Sequence, residues 1–386
     1  MTRNIVRRGT VAVVLSVAVV AAAAGCGSSQ KAADAQNNSG GAASATSAQD
    51  LGGLDALVAA AKAEGQLNVI ALPRDWANYG EIIDTFSKKY GIKVNSDNPD
   101  GSSQDEINAV KSLKGQDRAP DVLDLGGAFA LSGAKDGLFA PYKVLTWADI
   151  PDNQKDASGA WYHDYGGYIS IGCDAKKIAV CPQTFAELKK PEYKGKVALN
   201  GDPTKAGAAF AGVFAAALAS GGGFTNIQPG IDYFAALKKS GNFIPVESTP
   251  ATIEKGETPI SIDWDYLNAG YTKELSAKGI DWKVAVPSDG VYGNFYCQAI
   301  SKTAPHPAAA RLWQEFLFSD EGQNLWLKGA ARPVRLPKMT TSGTADATLL
   351  AALPKVDTTD AQLPSPDQVD AAKKVLTDGW TKALTG

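Results

Sequence analysis

Histidine is the scarcest chemistry in this sequence. Only two occur in 386 residues, His163 and His306. That excludes a multi-histidine zinc site and deprives a catalytic triad of its usual base. The chain contains no HExxH, GxSxG, CxxC or GxxxxGK[ST]. Zinc proteolysis, α/β-hydrolase chemistry, dithiol redox and phosphate-loop hydrolysis therefore lack the motifs that carry them. Gly221–Gly223 follows a helical stretch and is not a dinucleotide fingerprint. No cofactor or metal-ligand set can be read. Basic character is missing too: 38 Lys and Arg face 41 Asp and Glu, and the net charge is −3. With no long Lys/Arg run and no basic–aromatic stripe, nucleic acid is not the expected partner.

What is present is an ordinary globular composition, 44% hydrophobic and 20% charged, in a chain long enough for two lobes. The N-terminus is an export signal. Arg3, Arg7 and Arg8 precede an apolar run over 11–24 that is too short to span a bilayer comfortably. Ala23, Ala24 and Gly25 then lead to Cys26. This Ala-Ala-Gly-Cys resembles a bacterial lipobox, with Ala23 where Leu usually stands. The resemblance implies a signal peptide over 1–26 and lipid on Cys26. Residues 27–50 contain no large apolar side chain and read as a flexible tether, roughly 25–30 Å in root-mean-square span.

Of four cysteines, Cys173, Cys181 and Cys297 remain for the exported body. A Cys173–Cys181 disulfide is expected, with Cys297 a buried thiol. Pairing of Cys173 with Cys297 stays open on sequence alone. From Leu51 onward helical and strand patterns alternate: LNVIAL (67–72), a helix over 78–90, DVLDL (121–125), YISIG (168–172), an Ala-rich helix opened by Asp202-Pro203, and TPISID (258–263). Strands separated by helices predict a parallel α/β sheet with ligands held at the carboxyl ends of its strands.

The order of elements, together with LPRDWANYG (72–80), TIEKGETPISIDWDY (252–266) and HPAAARLWQEFLFSDEGQNLWLKGAARPVR (306–335), resembles the type 2 periplasmic binding proteins. The iron, polyamine and aminoethylphosphonate receptors are the most similar subgroup. The resemblance implies an α/β fold of two lobes, 51–168 plus 292–386 and 169–291, with a ligand cleft between them. It implies a monomeric, lipid-anchored receptor on the outer face of the cell membrane, which hands its solute to an ABC permease and ATPase and is not an enzyme.

On this fold, loops at strand ends line the cleft. The candidate ligand-binding residues are Asp75, Trp76, Asn78 and Tyr79, Ser102 and Ser103, Gly127, Asp202 and Thr204, Asp263, Trp264 and Asp265, and Tyr292. Asp263 and Asp265 alternate along an extended segment, so only one faces the cleft if it stays a strand. Carboxylates and aromatics together suit an ammonium group, favouring a polyamine such as putrescine or spermidine. A helix start at Asp202–Thr204, with Arg332 and Arg335, points instead to 2-aminoethylphosphonate or another organic anion. Ferric iron is a further alternative, although no Tyr-Tyr pair occurs. Two carboxylates in a cleft would also serve an exported glycoside hydrolase.

Overall fold

The computed structural model describes residues 41–356 and 363–385. The expected signal peptide, Cys26 and the first part of the expected tether lie outside the described residues.

The main sheet runs β3 (Val122–Gly126), β9 (Gly293–Ser301), β5 (Tyr162–Asp174), β7 (Ile260–Trp264), β6 (Val197–Leu199). The short strand β4 (Phe139–Ala140) also pairs with β9, and β8 (Trp282–Ala285) and β10 (Arg332–Pro333) pair with β5. A separate parallel pair, β1 (Gln66–Ile70) and β2 (Lys93–Asp97), abuts β3, where the Asp121 N–H donates to the Asn68 carbonyl at 2.9 Å. The sheet departs from the parallel arrangement predicted from the alternating pattern. In it only β6–β7 is parallel, while β3–β9, β9–β5 and β5–β7 are antiparallel. The reason is β5, which sequence reading saw only as a short strand over 168–172. It is a 13-residue strand that leaves one lobe and enters the other. Through Tyr168 it pairs with β9; from Ile169 it pairs with β7, and beyond with β8. The chain returns beside it at Tyr292, whose carbonyl accepts the Ile169 N–H at 2.9 Å.

Lobe one packs α1 (Leu54–Glu64), α2 (Tyr79–Tyr90), α3 (Ser103–Ser112) and α4 (Gly127–Lys135) about β1–β4 and β9. Lobe two carries α5 (Gly207–Ala219), α6 (Gln228–Ser240), α7 (Pro250–Lys255) and α8 (Asp265–Ser276). The chain then returns to lobe one through α9 (Pro307–Leu317), α10 (Asp320–Lys328), α11 (Leu336–Ser342) and α12 (Ala347–Ala351), and closes with α13 (Pro366–Thr385). α5 is apolar all round, and ten of its residues are buried, as expected of a helix enclosed by its neighbours. Cys173 and Cys181 form the disulfide, and Cys297 is a buried free thiol.

Two expectations change. The tether over 27–50 ends earlier than predicted: Ala42, Ala45 and Ala48 are buried, and the buried Arg311 guanidinium donates to the Ala43 and Ala45 carbonyls at 3.0 and 2.8 Å. Small alanines fit flush against α1 and α9, which a composition argument does not anticipate. Second, α5 starts at Gly207 rather than at Asp202. Asp202 instead accepts the Thr204 N–H and hydroxyl at 2.9 and 2.8 Å and closes a separate turn.

Candidate functional site

A cleft of about 350 Å³ opens between the lobes. Its walls are the segments after strand ends. Ala71, Pro73, Asp75 and Trp76 follow β1, and Asp100, Gly101, Ser102 and Ser103 follow β2. Asp124 comes from β3 and Asn200 from just beyond β6. Lobe two adds the start of α5 (Ala206, Gly207, Ala208), Glu247 to Pro250, and Leu267 and Tyr271 of α8; Tyr296 of β9 completes the floor.

Five carboxylates line this space: Asp75, Asp100, Glu106, Asp124 and Glu247. No Lys, Arg or His lies among the lining residues. Three of the carboxylates, Asp75, Asp100 and Glu247, are exposed at the mouth, and two, Glu106 and Asp124, are buried in the floor. Burial raises Glu106 well above the usual carboxylate range, and neighbouring Asp124 raises it further. Burial likewise pushes Asp124 up to about 7, although hydrogen bonds from Tyr165, Tyr79 and Gln298 favour its charged form. At the mouth, burial and then Asp100 across the cleft raise Glu247. The shifts of Glu106 and Asp124 reflect negative charge with little water and no counter-charge nearby.

The floor is held rigidly. Trp76 Nε1 donates to Tyr165 Oη at 2.7 Å, and Tyr165 Oη donates to Asp124 Oδ2 at 2.7 Å. Glu106 Oε2 accepts the Asp124 backbone N–H at 2.9 Å, tying α3 to β3. Trp76 stands edge-on to Tyr296 at 5.6 Å and to Tyr266 of lobe two at 6.3 Å. The indole thus closes the back of the cleft and presents an aromatic wall beside the carboxylates.

Of the residues picked from sequence, the structure brings Asp75, Trp76, Ser102 and Ser103 into the cleft. Ser102 caps α3 by accepting the Asp105 N–H. The others sit elsewhere. Asn78 donates to the Leu325 carbonyl at 3.0 Å and Tyr79 is buried against Trp326. Gly127 borders a small apolar gap outside the cleft. Asp202 and Thr204 serve their own turn. Asp263 lies behind the wall, accepting from Asn200 Nδ2 at 2.8 Å, and burial pushes it up to about 7. Trp264 is buried at the seam between lobes, edge-on to Tyr296. Tyr292 stacks on Phe214 inside lobe two.

Asp265 has a different role from the one its position suggested. β7 ends at Trp264, and Asp265 opens α8, so the alternation argument stops one residue short. Its Oδ2 meets Arg332 Nη1 at 2.6 Å, and its Oδ1 accepts the Tyr168 N–H at 2.9 Å. Arg332 belongs to lobe one, so this buried pair pins the two lobes together where β5 crosses. Arg335 is engaged with Asp149 and Asp320 at 2.7 and 2.8 Å. Neither arginine lines the cleft.

Sequence reasoning missed Asp100, Glu106, Asp124, Glu247, Tyr271 and Tyr296. A signal existed for Asp124: a carboxylate inside the apolar strand DVLDL demands a reason for its burial. Glu247, in an irregular segment before α7, carried none.

Residues 117–352 match the family model described as bacterial extracellular solute-binding protein. The match covers more than half of the chain, and the chain belongs to that family. Solved structures share the fold. AfuA of Actinobacillus pleuropneumoniae, with fructose-6-phosphate bound, is 19% identical at a TM-score of 0.66, covering 83% of this chain and 99% of that one. Iron-bound HitA of Pseudomonas aeruginosa is 21% identical at 0.62, covering 82% and 99%. A protein of Listeria monocytogenes provisionally assigned to spermidine/putrescine ABC transport is 14% identical at 0.63, covering 83% and 98%. No curated protein matches the sequence. The shared architecture is the two-lobed type 2 periplasmic binding protein fold.

Proposed function

We propose that this protein is the solute receptor of an ABC importer and that its solute is a small organic cation, with polyamines such as putrescine or spermidine the best fit. One observation carries the reading: five carboxylates and no basic side chain line the cleft. A cation contacting both walls would offset the repulsion between Asp100 and Glu247 and favour the closed arrangement. Trp76, Tyr271 and Tyr296 supply aromatic surface for the methylene chain and for cation–π contact. The loaded receptor would then dock on a membrane permease driven by a cytoplasmic ATPase. Lipid on Cys26 would hold it, as a monomer, at the outer face of the membrane. A receptor holds and releases its solute unchanged, so no catalytic step is assigned.

A second reading rests on the starts of α3 and α5, which border the cleft from opposite lobes. Helix N-termini favour an acidic group. A zwitterion such as 2-aminoethylphosphonate would use both features. Thermal unfolding of residues 27–386, stripped of co-purified solute, separates the readings. Solute at 100 times its dissociation constant stabilises by about 2.7 kcal/mol, a shift of several degrees. Stabilisation by putrescine or spermidine supports the cation. Stabilisation by 2-aminoethylphosphonate alone supports the zwitterion. A response only to ferric citrate or fructose-6-phosphate overturns both.

A further inference from the structure

The C-terminal helix touches both lobes. The first half of α13 lies on lobe one. Asp370 pairs with Lys135 of α4 at 2.7 Å, and the Lys373 ammonium sits 3.2 Å from the centre of the Phe129 ring in the same helix. Its second half lies on lobe two. Trp380 meets Phe234 of α6 and Phe243 at 5.7 and 6.3 Å between ring centres, and Gly379 passes beside Ile231. Val369, Ala372, Leu376 and Trp380 are buried at helical spacing along one face, so a single apolar stripe runs across the seam.

Under this helix the lobes meet backbone to backbone. A Cβ on Gly126 of lobe one would stand 3.2 Å from the Cα of Gly207 in lobe two, and a Cβ on Gly207 would stand 3.1 Å from Tyr296 Oη and 3.3 Å from the Cα of Gly126. Gly126 has φ −58°, an angle open to every residue. Its lack of a side chain therefore serves the approach of the lobes and not the turn of the chain. Val369 of α13 reaches the same point, bordering a small apolar gap with Gly126, Gly207 and Phe210.

We infer that α13 is a strap that keeps this flank of the lobes shut, and that the Gly126–Gly207 contact is the stop on which they close. The cleft then opens at the mouth marked by Asp75, Asp100 and Glu247, and the strap limits its travel. The two anchors differ in strength. The lobe-two end is a buried aromatic cluster, whereas the lobe-one end has only the smaller Val369 and Ala372 beside an ion pair whose lysine is 60% exposed and one cation–ring contact, so it is the end that releases.

The test needs no solute and is independent of the solute's identity. Spin labels at Lys62 of lobe one and Glu192 of lobe two report the interlobe distance by pulsed electron resonance in unliganded residues 27–386. Wild type should give one narrow distance. The double variant Asp370→Ala, Lys373→Ala, which removes the ion pair and the cation–ring contact, should add a longer population, as should truncation after Pro364. Gly126→Leu, which sets a whole side chain between the two backbones, should lengthen the main distance. An unchanged distribution in the double variant overturns the strap, even if the truncated chain fails to fold. An unchanged distance in Gly126→Leu overturns the stop.

Discussion

The two walls of the cleft are built differently. Lobe one supplies Asp75, Asp100, Glu106 and Asp124, four of the five carboxylates; lobe two supplies Glu247 together with Leu267, Tyr271 and the start of α5. Lobe one is also the braced wall, since Trp76, Tyr165 and Asp124 form one hydrogen-bonded chain. The difference teaches a division of labour. On the proposed function, lobe one would read charge, and lobe two would cover it and complete the contact that makes closure favourable.

The seam is where that division breaks most completely. Arg332→Ala leaves the Asp265 carboxylate buried without its partner and should destabilise the protein by about 3–5 kcal/mol, measured by urea unfolding. A loss below 1 kcal/mol would mean that the pair does not hold the lobes together.

The charge-reading wall comes next. Asp124→Asn should weaken putrescine or spermidine binding roughly 10- to 100-fold by titration calorimetry, the range of a hydrogen bond to a charged group. The same variant should stabilise the unliganded protein. The native Asp124 carboxyl is raised to about 7, so its favourable contribution is present below pH 4 and is lost as pH rises through 7. At pH 8 the variant should therefore be more stable than wild type, and near pH 3.5 the gain should vanish. Equal stability at both pH values would place Asp124 in a wetter site than the structure shows.

Affinity should follow the same proton. Below pH 7 a cation must displace it, so binding should fall by up to tenfold per pH unit, and above pH 8 it should level off. A flat profile from pH 5.5 to 8 would show that the mouth carboxylates alone hold the solute. The smallest effect belongs to lobe two: Glu247→Gln, at an exposed position, should weaken binding by only a few-fold. If it outweighs Asp124→Asn, the comparison between the walls is reversed.

Much of this molecule was legible without coordinates. Glycine stops and apolar runs are local patterns, and they marked out the α/β elements and the segments after their strands. Asp75, Trp76, Ser102 and Ser103 reach the cleft because they follow β1 and β2, whereas Gly127, just past β3, borders a gap outside it. Asp263 and Asp265 misled for a local reason. Their spacing is visible in sequence, but Asp265 belongs to α8 and answers to Arg332, 67 residues away.

By itself, then, the sequence determined the kind of body this chain forms and the cysteine partners it could use, because each depends on composition or on neighbours along the chain. Only the tertiary structure decided the rest. The direction of the strands in the main sheet follows from β5 crossing between lobes. The charge of the cleft is the sum of residues from Asp75 to Glu247, and no local window contains that sum. The place of α13 depends on a stripe that matches two lobes at once. Each of these is a long-range coincidence of burial and charge, set by which surfaces meet when the chain closes on itself.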